Sequence, residues 1–466
     1  MSKMRSNDKR IVVVGAGPGG SVAAALLAQK GYTVKVIEKR ARPQASDPPI
    51  RRGVMFCLKS VEIMGKIGIH VPPEGFLDGM HTFQGSHVIV RDGEKQSIKL
   101  NDSSILVERH VFAFNIIKAI EKQELKNLTI CFEASCTAID MESRIVKYTS
   151  SDGVEHAEPY DLLIGADGVN SIVRQALEAF DPTLKVRQMR SRSRYKTIRG
   201  LPRPDDAEEL LELGSPGYFV MILTASCRLG GKRINQLGLA MYQTEDGLFH
   251  LNVAGAVEDL EALEGNEREW VENQAPRLLS KSWYEQLIKE LSAAPMNIGS
   301  PVTYCSSMIG PSVSIIGDAA HSTSPTHGVG ANMAIQDGDE LASALEACDG
   351  GVTEGLKMFE RARLEEIHSI IRFEELTKYS RLEKPHRLGI ALKSFLDAFH
   401  TKGHKLLPKL IPKPVNMRVV FGEITYPQAR RIFEREARVV CSLGIAVAGI
   451  VSSAAWVYGR GMIRRN

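Results

Sequence analysis

The chain has 466 residues, of which 43% are hydrophobic and 24% charged, with a formal net charge of +4. That is length enough for two or three cored domains, and too small a charge for nucleic-acid binding; no basic helix or RNA-binding signature accompanies it. The seven cysteines, at 57, 131, 136, 227, 305, 348 and 441, form no Cys-x-x-Cys pair, so a reducing compartment is expected, with neither a disulfide framework nor a metal site.

The N-terminal MSKMRSNDKR is too short and polar for a signal peptide and leads directly into a strand. Residues 11–14 are a continuous β-branched run, the pattern of a strand buried on both faces. Gly15, Gly17 and Gly20 follow in G-x-G-x-x-G spacing, 21–30 is predicted helical, and 33–37 is a second strand ending in Glu38. Gly15 permits the tight turn, Gly17 lets backbone approach a pyrophosphate, and Gly20 lets the helix sit close to the strand. The helix start, Pro18-Gly19-Gly20, offers its positive end to that charge. Glu38, with Lys39 beside it, is placed to accept hydrogen bonds from a ribose diol, and an acid there favours FAD or NAD over NADP.

Further along, 161–174 (DLLIGADGVNSIVR) is a strand that passes through Asp167-Gly168 into a helix near Ser171; taken alone it is equally an Asx-capped turn. Segments 217–225, 236–244 and 248–256 alternate like antiparallel strands, and charged helical stretches follow through Trp283 to Leu291. Residues 76–100 are expected to add strands to the same sheet. The apolar run 313–316 then leads into GDAAHSTSPTHGVGANMAIQDGDEL. Here Asp318 closes a buried strand, and His321, Pro325 and His327 sit among small residues. A glycine-rich approach through Gly328, Gly330, Ala331 and Asn332 opens a helix. A carboxylate paired with a glycine-rich helix start suits a ligand that is polar, extended and partly anionic.

In order and spacing these three motifs resemble the group A flavoprotein monooxygenases. The resemblance implies a mixed α/β fold that joins a Rossmann-like, GR2-type FAD-binding domain (1–75, 105–184 and 300–374) to an antiparallel-sheet substrate domain (76–104 and 185–299). It also implies FAD as bound cofactor, NADPH or NADH as transient reductant, and O2, which adds at flavin C4a as a hydroperoxide and passes one oxygen atom to an electron-rich small molecule. On that footing Asp167 belongs to a segment serving FAD and the pyridine nucleotide, Asp318 holds the ribityl chain, and the amides of 328–332 face the isoalloxazine edge. Arg109 heads a helix with Phe112 and Ile116 three and seven positions on, matching a flavin-contacting arginine, and Arg52 stands in place of another. His321 either takes part in the chemistry or packs beneath the flavin. His327, in a loop stiffened by Pro325, is the candidate to touch substrate. No G-x-S-x-G, H-E-x-x-H or Walker sequence competes.

Residues 439–458 are twenty in a row without a charge. As a helix they span about 30 Å, the thickness of a bilayer core. Arg435, Arg438 and Arg460 flank them, with Trp456 and Tyr458 at one end. They are read as a membrane-anchor helix in contact with lipid, the catalytic part facing the cytosol, with a buried terminal helix or dimer contact as the alternative. Residues 398–422 carry Lys402, Lys405, Lys409, Lys413 and Arg418 without an acid, interleaved with Leu406, Leu407, Leu410 and Ile411, which suits an anionic membrane surface or a solvated basic loop.

ELTKYSRLEK (375–384), VVFGEITYPQARR (419–431) and the hydrophobic tail make the whole chain similar to the kynurenine 3-monooxygenases. That similarity implies a helical C-terminal domain over 375–438 that closes the pocket, and matches Tyr426 to a tyrosine of that region. The pocket departs from the pattern. In FLDGMHTF (76–83) Asp78 stands where an arginine should grip the substrate carboxylate, and Ser380 replaces an asparagine. A buried carboxylate without its arginine is costly, so the expected substrate is a related aromatic amine, an aromatic acid or a lipophilic molecule. An isoprenoid or polyketide epoxidase, a flavin reductase without oxygen insertion and a non-catalytic scaffold stay open, as does the oligomeric state.

Overall fold

The computed structural model describes residues 9–44, 53–70, 75–77, 80–83, 86–91, 94–99, 104–203, 220–223, 227–234, 237–243, 247–274, 280–324, 328–376, 382–383, 386–420 and 423–442. The chain divides into two compact units, 1–364 with 380–383 and 365–379 with 384–466.

The first unit is built on a six-stranded sheet in the order Ile309–Gly310, Val313–Ile315, Leu162–Gly165, Arg10–Val14, Thr33–Ile37, Leu128–Cys131. Its neighbours are parallel except for the first pair. Ile11, Val12, Val13, Leu163 and Ile164 are all buried, as strands covered on both faces must be. Register does the positioning. Val14 lies level with Ile37 and with Gly165, and Gly165 with Ile315. Gly15, Glu38, Asp167 and Asp318 therefore leave the sheet at one carboxyl edge, the edge where open α/β sheets take ligands.

Helix Pro18–Gln29 begins at the proline rather than at residue 21, because a ring-fixed φ suits the first helical position. It runs against helix Gly330–Ala347 so closely that a Cβ on Gly19 would stand 2.7 Å from the Ala334 carbonyl oxygen, and one on Gly338 2.9 Å from the Ala23 nitrogen. Only glycine lets the two backbones meet there.

A second sheet has seven strands, in the order Asn297–Ile298, Ser193–Leu201, Phe249–Ala256, Gly238–Gln243, Val220–Leu223, Ser86–Arg91, Glu94–Lys99. The three alternating segments are present in it. Trp270, Trp283 and Leu287 from the helices that follow pack on Leu239, Leu251 and Val253, and Trp283 Nε1 donates to the Pro202 carbonyl at 2.6 Å. One pairing differs from the antiparallel expectation: Val220–Leu223 runs parallel to Ser86–Arg91. The two strands are far apart in sequence, and alternation shows which face a side chain takes but not strand direction. Residues 76–100 also divide. Ser86–Arg91 and Glu94–Lys99 join this sheet, whereas Gly75–Leu77 and Met80–Phe83 pair within a four-stranded sheet with Gly53–Phe56 and Ser104–Glu108.

The second unit is helical. The end of helix Val352–Leu376, helix Arg387–Leu406 and a helix over 426–442 contribute to two small cores, one of Phe373, Val415 and Ala429, the other of Leu376, Leu396 and Phe433. Of the uncharged run 439–458 only the first four residues are described, so the expected anchor helix lies outside the described residues. Among the described residues no helix is long and apolar enough to cross a membrane.

Candidate active site

Gly15 has φ +103° and donates its amide to the Ile37 carbonyl at 2.8 Å. A Cβ on it would stand 2.4 Å from the Ala166 carbonyl oxygen, and one on Gly20 would stand 2.1 Å from the Gly15 carbonyl oxygen. The turn, the helix behind it and the Asp167 segment thus pack backbone on backbone. Gly17 is different: a Cβ there finds no atom within 4 Å. That open space lies at the start of helix Pro18–Gln29, whose first turn carries no acid, so free amides and the positive helix end meet it. The residues fit a pyrophosphate.

Glu38 is buried and accepts from the Ala16 amide at 2.7 Å and from Arg40 N and Nε, each at 2.9 Å. Burial alone would raise its pKa; the Arg40 contacts and the Ala16 amide outweigh that and hold the carboxyl below its ordinary range. It is an ionised acceptor with lone pairs left for ribose hydroxyls. Lys39 is exposed on the adjoining turn.

The geometry of Asp167 carries the capping reading. Its carboxylate accepts from the Ile172 amide at 2.6 Å and from the Ser171 hydroxyl at 2.5 Å, closing the start of helix Ile172–Phe180. Burial raises its pKa in spite of these donors. The motif reading missed Arg174. Its buried guanidinium donates to the Ala319 and Val169 carbonyls, both at 2.7 Å, and so joins this segment to the Asp318 segment. An arginine beside the buried Val173, one turn before Leu177, was the available signal.

Asp318 opens the short helix Asp318–His321. A Cβ on Gly330 would stand 3.9 Å from Asp318 Oδ1 and 3.3 Å from Thr323 Oγ1, so the carboxylate stands beside the start of helix Gly330–Ala347, itself free of acids in its first turn. This is the juxtaposition the motif predicts. Gly328 has φ +64°. Asn332 accepts from the Cys57 amide at 2.9 Å and donates to the Gly328 carbonyl at 3.2 Å, which braces the approach, and Ala331 is half-buried next to it.

His321 is buried at the end of the short helix Asp318–His321. Its Nε2 lies 2.5 Å from Asp337 Oδ2, and Asp337 also accepts from the Gly317 amide at 2.9 Å and from Arg363 Nε at 2.8 Å. All three side chains are buried. Burial works to raise the Asp337 pKa, but His321, Arg363 and the Gly317 amide hold the carboxyl below its usual value. Neither Asp337 nor Arg363 was singled out from sequence. Each is a charge on an apolar helix face, Asp337 between Met333 and Leu341, Arg363 between Phe359 and Ile367.

Arg109 is the exposed first residue of helix Arg109–Glu121, with Phe112 and Ile116 buried at the expected spacing and Phe112 4.6 Å from Phe56. Tyr426 lies in the second unit, edge-on to Phe373 at 6.1 Å; burial, with Glu374 and Glu366 nearby, pushes its phenol up to about 12. Arg52, Pro325 and His327, like Asp78 and Ser380, lie outside the described residues.

Residues 8–192 and 246–374 match the family model of the FAD binding domain. The kynurenine 3-monooxygenase of Candida albicans is 24% identical over 472 residues, spanning 97% of this chain and 96% of that protein. Violacein synthase of Chromobacterium violaceum is 25% identical over 366 residues, spanning 76% of this chain and 82% of that one. Among solved structures, PqsL of Pseudomonas aeruginosa in complex with 2-aminobenzoylacetate aligns with a TM-score of 0.61 at 19% identity over 78% of this chain and 94% of its own. The fold is also that of 2-methyl-3-hydroxypyridine-5-carboxylic acid oxygenase, with a TM-score of 0.58 at 18% identity over 78% and 90%. With more than half of its length inside the family model and a turn, ribose acid and helix start that fit the cofactor, the chain belongs to the FAD binding domain family and is a flavin-dependent monooxygenase.

Proposed function

We propose that this chain is an FAD-dependent, NAD(P)H-consuming monooxygenase of the kynurenine 3-monooxygenase type, inserting one atom of O2 into an aromatic or other electron-rich small molecule. The observation that carries this is the strand register that delivers Gly15, Glu38, Asp167 and Asp318 to one sheet edge. The chemistry supplied by bound FAD is two-electron reduction by the nicotinamide and activation of dioxygen. The residues of this chain bind and orient: Gly17 and the helix behind it receive the pyrophosphate, Glu38 the ribose, and Asp318 the ribityl hydroxyls. The start of helix Gly330–Ala347 places amide dipoles where reduced flavin gathers negative charge.

The substrate we propose is an aromatic amine or aromatic acid held differently from kynurenine, since FLDGMHTF (76–83) has no arginine for its carboxylate. A second reading, epoxidation of a lipophilic isoprenoid, draws on the uncharged run 439–458. Purified, FAD-loaded protein should be assayed for NADPH oxidation, peroxide release and product mass against kynurenine, anthranilate-like amines and prenylated aromatics. Gain of one oxygen atom coupled to NADPH use is expected. NADPH use that yields neither an oxygenated product nor peroxide would mark a reductase and overturn the proposal.

We also propose that 439–458 anchors the chain to a membrane, with the catalytic part in the cytosol. Full-length protein should stay in the pellet through an alkaline wash and a chain ending at 438 should not; full-length protein in the supernatant would refute the anchor.

A further inference from the structure

Helix Arg387–Leu406 has a buried face of mixed character and a separate, exposed apolar face. Gly389, Lys393, Leu396 and His400 are buried, with Leu396 in the core alongside Leu376 and Phe433. The other face carries Leu388, Phe395, Phe399 and Leu406, which are 76%, 57%, 52% and 79% exposed. At 3.6 residues per turn these four fall within about 40° of arc, aligned along the helix roughly a quarter-turn from the buried face. The chain then folds back: His404 Nδ1 donates to the Ile411 carbonyl at 2.7 Å, and His400 Nδ1 to the Pro412 carbonyl at 3.1 Å. This reversal adds Leu407 and Leu410, 52% and 77% exposed, at the end of the stripe.

The charge beside the stripe has one sign. From 386 to 413 the only acid is Asp397, and it is taken up by Lys393 at 2.5 Å. Lys413 is likewise paired, with Glu423 at 2.7 Å. Lys402, Lys405 and Lys409 are exposed and make no ion pair among the described residues. A leucine and phenylalanine face bordered by unpaired lysines does not suit water, and it does not suit an acid-free copy of itself. It suits the boundary between acyl chains and anionic headgroups, where the rings and leucines sink below the phosphates and the lysines stay level with them.

We propose that helix Arg387–Leu406, with Leu407 and Leu410, is a monotopic docking face for an anionic lipid bilayer, separate from any anchoring by 439–458 and independent of the flavin chemistry. The face lies flat on the membrane and fixes how the second unit meets it.

The test uses full-length protein carrying Phe399→Trp and Trp456→Phe. Trp270 and Trp283 are buried in the sheet core and do not meet lipid, so quenching by brominated acyl chains reports residue 399 alone. In vesicles of phosphatidylglycerol and phosphatidylcholine its emission should shift to the blue and fall about twofold. Lys402→Glu, Lys405→Glu and Lys409→Glu together should abolish most of the quenching even where the chain still sediments with the vesicles; sedimentation reports the anchor and quenching reports the face. No quenching in anionic vesicles would overturn the proposal, as would quenching indifferent to the triple substitution. A blue shift that grows with protein concentration in the absence of lipid would assign the face to a second copy of the chain and overturn it as well.

Discussion

His321 Nε2 and Asp337 Oδ2 lie 2.5 Å apart with both side chains buried, one on the short helix that begins at Asp318 and the other at the middle of helix Gly330–Ala347. Through Arg363 and the Gly317 amide the same carboxylate reaches helix Val352–Leu376 and the residue that precedes Asp318. Asp337→Asn leaves the Arg363 guanidinium buried without its counter-charge, which costs about 3–5 kcal/mol. His321→Gln still offers a donor, and about 1–3 kcal/mol is expected. Thermal unfolding and the flavin-to-protein ratio check both: Asp337→Asn should unfold several degrees earlier and retain little FAD. A variant with wild-type midpoint and full flavin would show that the network positions nothing.

The same carboxylate sets an acid limit. Its pKa is held below the ordinary aspartate value, so its contribution to stability is complete above about pH 4 and is lost as pH falls through the folded value. Glu38 acts in the same direction. The difference in unfolding free energy between wild type and Asp337→Asn should narrow as pH falls below about 4. A gap that stays constant down to pH 3 would mean that folding does not depress the pKa of Asp337.

Much of this site was legible because its signals are local. A β-branched run, three glycines in spacing and an acid at the end of the next strand each carry their reason within a few residues, and the Gly330 helix start beside Asp318 follows from the same pattern. What escaped is non-local. The parallel pairing of Val220–Leu223 with Ser86–Arg91 leaves no trace in alternation. Asp337 and Arg363, each alone on an apolar helix face, look like flaws until the fold brings them to 2.8 Å. Asp167 was legible as either ligand or cap, and only coordinates show which donors its oxygens take.

Gly17 and Gly20 separate cofactor binding from folding. Gly17 has an extended backbone that any residue adopts, and a Cβ there meets nothing. Gly17→Ala should therefore cost the FAD-free protein only about 0.5–1 kcal/mol, the usual loss on placing alanine at a helix N-cap, while FAD affinity drops about tenfold or more, since the methyl occupies the pyrophosphate's approach. Gly20→Ala drives a methyl to 2.1 Å from the Gly15 carbonyl oxygen and should destabilise the protein with or without FAD. Calorimetry of both proteins and FAD titration distinguish the two. Equal loss of stability in both variants would mean that the space before Gly17 is structural.

Arg174 tests whether the two loops at the sheet edge act as one. Its guanidinium bonds Ala319, next to Asp318, and Val169, two residues after Asp167. Arg174→Met keeps most of the buried volume but removes two charge-assisted donors, and both carbonyls lose their partner at a cost of about 3 kcal/mol. Arg174→Lys restores the charge without the planar fork, so it reaches one carbonyl and recovers part of the loss. The expected order in urea midpoint is wild type, Lys, Met, and FAD affinity should follow the same order, because a loosened Ala319 shifts the Asp318 carboxylate against the start of helix Gly330–Ala347. If Arg174→Met lowers the midpoint but leaves FAD affinity intact, the arginine only holds the fold, and the loops position the cofactor separately.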